Sequence, residues 1–255
     1  MSADGSTTRG RTRQHGETDL RIDLAAAFRL TAELGWHESV GNHFSAAVSP
    51  DGRRFLMNPR WRHFSRVKAS ELLLLDADDA DTRSRANAPD PSAWCIHGAI
   101  HRALPEARVL LHCHPPHATA LATLKDPVMK PIDQNTARFF DLVNYDSGFG
   151  GIADEAEEGA RIAAAMAGKP ILLMGNHGLT CSAPTVAEAF EHLYFFERAA
   201  QTLMLAYASG QPLNVMGENL ARKTAEGWRA YGDAAFAHFA QLKEMLDEMD
   251  PSYRD

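Results

Sequence analysis

Two short apolar runs, Val109-Leu110-Leu111-His112-Cys113 and Ile171-Leu172-Leu173-Met174, constrain this chain more than any other feature. Each is too short for a helix and is followed closely by proline or glycine, so each reads as a buried strand. Each also leads into histidine. Side chains two apart on a strand share a face, so His112 and His114 project together while Leu111 and Cys113 enter the opposite layer. In Gly175-Asn176-His177-Gly178 the glycines permit a tight backbone path that carries His177 towards that pair. The expectation is that two neighbouring strands deliver three imidazoles to one point. Three neutral imidazoles suit Zn²⁺, Fe²⁺ or a related ion and leave a coordination position open. From spacing alone, three unrelated histidines, satisfied in the core or at the surface, is the alternative.

Around these runs helices and short strands alternate. Residues 1–18 are rich in Ser, Thr, Gly and Arg, show no apolar period, and are predicted to be a disordered tail. A helix is expected from Asp19 to Gly35, then a hairpin in which Phe44 to Val48 and Phe55 to Met57 flank Ser49-Pro50-Asp51-Gly52. Leu72 to Leu75 reads as a strand, Ala77 to Ala88 as a loop, and Pro91 to about Ala103 as a helix. Further helices are expected over His117 to Leu124, Ala156 to Ala167 and Pro184 to Ser209, with a strand at Leu142 to Tyr145. One long helix is expected from about Asn219 to Met249. The chain thus divides into the tail (1–18), a layered α/β domain (19–215) and a C-terminal helical extension (216–255).

Composition narrows the partners. A formal charge of −7 argues against a general electrostatic grip on nucleic acid or an anionic membrane. Three widely spaced cysteines, Cys95, Cys113 and Cys181, do not make a disulfide framework, and a reducing cytoplasm is the expected compartment. The first residues lack an apolar signal-like stretch, and no run approaches the roughly 20 apolar residues that span a bilayer.

The order of five motifs resembles the class II aldolase/adducin family: Gly41-Asn42-His43-Phe44-Ser45, Phe55-Leu56-Met57-Asn58-Pro59, Ile96-His97-Gly98-Ala99-Ile100-His101, His112-Cys113-His114 and Gly175-Asn176-His177-Gly178-Leu179. The resemblance runs from about Asp19 to Gly210. It implies a three-layer α/β/α domain with a central, largely antiparallel sheet, and a homotetramer with sites between subunits. It further implies that His112, His114 and His177 hold a divalent metal, most often zinc, with Fe²⁺, Mn²⁺ and Co²⁺ as the other options.

In the sugar-phosphate aldolases of that family a glutamate precedes the tryptophan of a Ser-Ser-Glu-Trp segment and acts as general acid/base. Here the segment reads Pro91-Ser92-Ala93-Trp94, so a methyl group stands where the carboxylate is expected. Gly41, Asn42 and Ser92 match the family's substrate pocket, with Asn58 and Arg60 as further binding candidates. Arg60 or Arg62 would pair a substrate carboxylate or phosphate, or simply face solvent. The implied activity is a metal-dependent lyase that cleaves a carbon–carbon bond next to a carbonyl, by decarboxylation or retro-aldol cleavage, through a metal-stabilised enolate of a hydroxy-carbonyl or keto-acid substrate. Retro-aldol chemistry needs a base for the β-hydroxyl proton, whereas carbon dioxide departs without one. The candidates to move protons are His97, which shares a helix face with His101, and Tyr145, with His117 and Asp146 behind them. Two other readings stay open: a non-heme iron oxygenase on the same three histidines, and a non-catalytic adducin-like interaction module.

Overall fold

The computed structural model describes residues 16–148 and 156–255. The predicted tail falls almost wholly outside them, as do Phe149, Gly150 and Gly151 of the glycine-rich turn. Helix α1 (Glu17–Glu33) opens with Glu17 and Asp19 in its first turn, where acidic side chains suit the helix dipole. It begins two residues ahead of the expected domain start and stops before Gly35, whose φ is +70°.

Among the described residues seven strands form one sheet: β1 (His43–Ala47), β2 (Arg54–Met57), β3 (Leu73–Asp76), β4 (Val109–Cys113), β5 (Val143–Asp146), β6 (Ile171–Met174) and β7 (Gly178–Ala183). Their order is β3-β2-β1-β4-β7-β6-β5. Every pairing is antiparallel except β5 with β6, so the largely antiparallel sheet expected from the motifs is present. Strand β7 carries no strand signature in the sequence, because its leading Gly178 reads as a turn and its Thr180 and Ser182 break the apolar run. It pairs His112 with Thr180 on one side and Leu172 with Thr180 on the other. The strands that lead into the histidines are therefore not neighbours: β7 lies between β4 and β6. His177 reaches the first pair from the hairpin turn joining β6 to β7, not from an adjacent strand edge.

Helices cover both faces. On one lie α2 (Pro91–Ala103) and α5 (Ala156–Met166), whose Ile96, Ile100, Ile162 and Met166 pack on Leu110, Leu172 and Met174. On the other lie α1, α3 (Pro116–Ala122), α6 (Val186–Ala208) and α8 (Ala234–Met249), packed on Leu111, Cys113, Leu173 and Cys181. Alternation along β4 thus sends His112 to the α2 face and Cys113 into the larger core. Burial pushes the Cys113 thiol well above its ordinary range, which marks it as a packing residue. A short helix, α4 (Gln134–Ala137), capped by Asp133, precedes β5.

The C-terminal extension is two helices, not one. α7 (Glu218–Ala230) ends at Tyr231, and Gly232, a weak helix former, separates it from α8. Phe239 and Leu246 of α8 enter the main core beside α6, and buried Tyr253 follows them. The extension therefore packs on its own domain. No helix among the described residues is long and apolar enough to cross a membrane.

The β1–β2 hairpin leans on the end of α2 at one point. Gly52 has φ +72°, and a Cβ built on it would lie 2.1 Å from the His101 carbonyl oxygen. Both the left-handed backbone and the lack of space require glycine there. Gly52→Ala is expected to cost about 2–4 kcal/mol of stability, read from the urea midpoint at unchanged m-value. A midpoint within error of wild type would show that the hairpin does not press on α2.

Candidate metal centre

The site is assembled at one end of the sheet on the α2 face. Cross-strand partners share a face, so the pair His43–His112 places two imidazoles side by side, with ring centroids 4.8 Å apart and planes 24° apart. His114 follows two residues along β4's direction. The β6–β7 turn then bends back, using Asn176 at φ +54°, one of the residue types that tolerate the left-handed region. Gly178 makes the approach possible, since a Cβ there would sit 2.4 Å from Cδ2 of His114. The centroids of His112, His114 and His177 lie 4.8–5.2 Å apart. One ring nitrogen from each lies within 4.8 Å of the others.

The chemistry of these rings fits a cation. His112 Nδ1 is 3.0 Å from Thr180 Oγ1, and the Thr180 hydroxyl has Met174 Sδ as its own acceptor at 3.5 Å. The hydroxyl then accepts from His112 Nδ1–H, which leaves Nε2 of His112 bare. His114 Nε2 is buried with no hydrogen-bond partner. Burial, and then the neighbouring imidazoles, hold His112 well below its ordinary pKa and bring His177 to about 4. Neutral rings are the form that ligates metal, and His112 and His114 each keep one nitrogen uncommitted. Glu38, on the loop after α1, brings a carboxylate oxygen to 3.8 Å from His114 Nδ1; nothing in its sequence context marks it.

A scan against protein-family models matches residues 22–204 to the class II aldolase and adducin N-terminal domain. The chain belongs to the class II aldolase and adducin family. It is 32% identical over 256 residues to an adducin-related protein of Schizosaccharomyces pombe, covering 93% of this chain and 77% of that one. It is 27% identical over 237 residues to the decarboxylase NovR of Streptomyces niveus, covering 89% and 87% of the two chains. An aldolase II superfamily protein from Pseudomonas syringae superposes with a TM-score of 0.85 at 30% identity, over 96% of this chain and 98% of that one.

Within this family frame the remaining candidates separate into groups. Asn42 and Asn58 brace the loop ahead of β1: Asn42 Oδ1 accepts from the Glu38 amide at 2.6 Å, and Asn58 Nδ2 donates to the Asn42 carbonyl at 3.3 Å. Gly41 closes the same loop on the Glu38 carbonyl at 2.8 Å. Ser92 and Arg60 converge on Asp90, which caps α2: the Ser92 hydroxyl donates to Oδ1 at 2.6 Å and Arg60 Nε lies 3.4 Å from Oδ2. Burial works against the Asp90 charge, but hydrogen bonds from the Ser92 hydroxyl and the Ser92 and Ala93 amides outweigh it and hold the carboxyl below its usual range. Ala93 itself is buried in a small apolar cluster with Ala47, Phe55, Met57 and Leu75.

Two proton-transfer candidates are not presented to the triad. Both nitrogens of His97 are committed, Nε2 to His43 Nδ1 at 2.8 Å and Nδ1 to Ser45 Oγ at 2.5 Å. Neither is left for a substrate, so His97 stands one residue behind the site. Tyr145 pairs with Leu173, which faces the larger core, and so lies on the opposite side of the sheet from His112. Its hydroxyl accepts from the Met129 amide at 2.9 Å, and burial raises its pKa to about 12. His117 binds the buried Glu197 through Nδ1 at 2.7 Å.

Burial holds His101 down to about 3 and His97 well below its ordinary value. The unfolded chain takes up these protons below pH 6.5 and the folded chain does not, so stability falls as pH drops below that point. Each histidine contributes a slope of up to about 1.4 kcal/mol per pH unit. The metal-free protein is expected to lose stability between pH 6.5 and 5, above the ordinary carboxylate range, in urea titrations. A flat profile across that window would contradict the neutral, buried state of both rings.

Proposed function

We propose that this chain is a metal-dependent lyase that cleaves a carbon–carbon bond beside a carbonyl, with decarboxylation favoured over retro-aldol cleavage. The observation that carries the reading is the combination of three converging neutral imidazoles with a buried methyl at position 93. His112, His114 and His177 would hold a divalent cation, zinc first, with Fe²⁺, Mn²⁺ or Co²⁺ as alternatives. The cation would supply Lewis acidity to the carbonyl oxygen of a bound hydroxy-carbonyl or keto acid.

The chain's own residues favour loss of carbon dioxide. When a carboxylate leaves as carbon dioxide, the bond electrons stay on the substrate carbon and only a later proton is needed there. Retro-aldol cleavage needs a base at the outset to take the β-hydroxyl proton. Of the positions that the motifs put forward for this proton, Ala93 cannot take it, His97 has no free nitrogen, and Tyr145 faces away. Kinship with a protein named as a decarboxylase supports the same choice. Arg60, exposed and paired with Asp90, would meet an anionic group of the substrate in this reading. The homotetramer expected for the family is retained as part of the proposal.

Elemental analysis of the purified protein tests this. About one divalent ion per chain is expected, falling below about a tenth of that in His112→Ala and in His177→Ala. Carbon dioxide release from keto acids is expected to fall with it. A full equivalent of metal retained by either variant would remove these residues from the site. Dioxygen consumption that depends on ferrous iron would redirect the reading to an oxygenase.

A further inference from the structure

Behind the triad runs a buried hydrogen-bonded chain that the proposed reaction does not use. His43 Nδ1 meets His97 Nε2 at 2.8 Å, His97 Nδ1 meets Ser45 Oγ at 2.5 Å, Ser45 Oγ meets His101 Nε2 at 2.7 Å, and His101 Nδ1 meets the Ala107 carbonyl at 3.0 Å. All four side chains are buried, His43 at 5% exposure and the others at 0%.

The far end dictates every proton. A carbonyl oxygen only accepts, so His101 Nδ1 carries a hydrogen. A neutral imidazole has one donor and one acceptor, so His101 Nε2 accepts, and the Ser45 hydroxyl must donate to it. That hydroxyl has no second hydrogen, so it accepts from His97 Nδ1–H. His97 Nε2 then accepts from His43 Nδ1–H. The one nitrogen left over is Nε2 of His43, bare and fixed as an acceptor, on a ring stacked against His112. An extra proton anywhere in the chain would charge a ring at 5% exposure or less, which desolvation opposes.

We propose that His43 is a specificity residue whose Nε2, locked as an acceptor by His97, Ser45, His101 and the Ala107 carbonyl, selects a substrate bearing a hydroxyl next to its chelating oxygen. The inference rests on the metal reading above and narrows it. A hydroxyl donates to this nitrogen. A phosphate oxygen, an ether or a second carbonyl offers it only lone pairs. The substrate class is thus an α-hydroxy acid or α-hydroxy carbonyl compound, and His97, Ser45 and His101 are positioning residues for His43.

Two arms separate this proposal from the metal assignment. In the metal-free protein labelled with ¹⁵N-histidine, two-bond proton–nitrogen correlations at pH 7.5 are expected to show His43, His97 and His101 all protonated at Nδ1. Ser45→Ala removes the hydroxyl between His97 and His101 and is expected to give His43 a mixture of tautomers, which loss of packing alone would not produce. A proton on Nε2 of His43 in the wild-type protein overturns the proposal. In the zinc-loaded protein, calorimetry with glycolate and methoxyacetate compares the same chelating oxygens with and without the hydroxyl hydrogen. Glycolate is expected to bind about tenfold tighter, with the gap closing to less than about twofold in His43→Phe and narrowing in Ser45→Ala, which keeps the ring. Equal binding, no binding of either acid, or a gap that survives in both variants counts against it. Failure to take up zinc with the three tautomers as described would sink the metal reading and leave the acceptor in place.

Discussion

Desolvation is the constraint on which this site depends. His43, His97, His101 and His112 lie on the α2 face of the sheet at 5% exposure or less, and a buried imidazole sheds its charge before it sheds anything else. Neutrality has a structural price: each ring then owns one donor and one acceptor, and each must be matched. Thr180, Ser45 and the Ala107 carbonyl supply the matches. Because each partner has a fixed direction, the tautomers are determined by geometry, and the ring of His43 lies stacked on that of His112 at the end of the sheet where the three grouped histidines meet.

The sheet makes this possible by treating its two faces differently. Towards α1, α3, α6 and α8 the strands present Leu111, Cys113, Leu173, Leu179 and Cys181, a continuous apolar surface. Towards α2 and α5 the sheet is mixed: Leu110, Leu172 and Met174 are apolar, while His112 and its partner Thr180 on β7 are polar. The larger core therefore carries the packing, while the thinner α2 layer can hold a polar network at little cost to the fold. α2 is fixed at its start by Asp90 and pressed near its end by Gly52 of the hairpin, so His97 and His101 are held from both directions.

The parts of this arrangement legible in the sequence were those with a period. Two-residue alternation identified β4 and the shared face of His112 and His114, and four-residue spacing put His97 and His101 on one side of α2. What escaped lacked a local signal. β7 begins with glycine and mixes Thr180 and Ser182 into its apolar positions, so it resembles a loop until its partners β4 and β6 are known. His43 follows Gly41-Asn42, where lining a pocket and facing solvent are nearly equal readings of the sequence, and its pairing with His112 decides where its ring lies. Tyr145 shows how far such a signal reaches. Nearness to a glycine-rich turn suggested a role, but the register with Leu173 sends it to the other face. Periodicity reports which residues share a face; it does not report which face, and that depends on contacts far apart in the chain.

Position 93 belongs to the same logic. Ala93, His97 and His101 are spaced four apart and form one stripe of α2 over the sheet. A carboxylate at the head of that stripe would favour a positive charge on the imidazoles beside it, and a charged His43 would carry hydrogen on both nitrogens. It would then repel a cation held by His112 and could accept nothing. Asp90 is the carboxylate that bears on His43 among the described residues, and its oxygens are already committed to Ser92, the start of α2 and Arg60. An alanine at 93 and a neutral chain of histidines behind it are thus one solution, not two independent features. The glutamate expected from the aldolase-like segment would put a titrating carboxylate at position 93. This chain removes that carboxylate and keeps beside the histidine triad a nitrogen whose proton is fixed elsewhere.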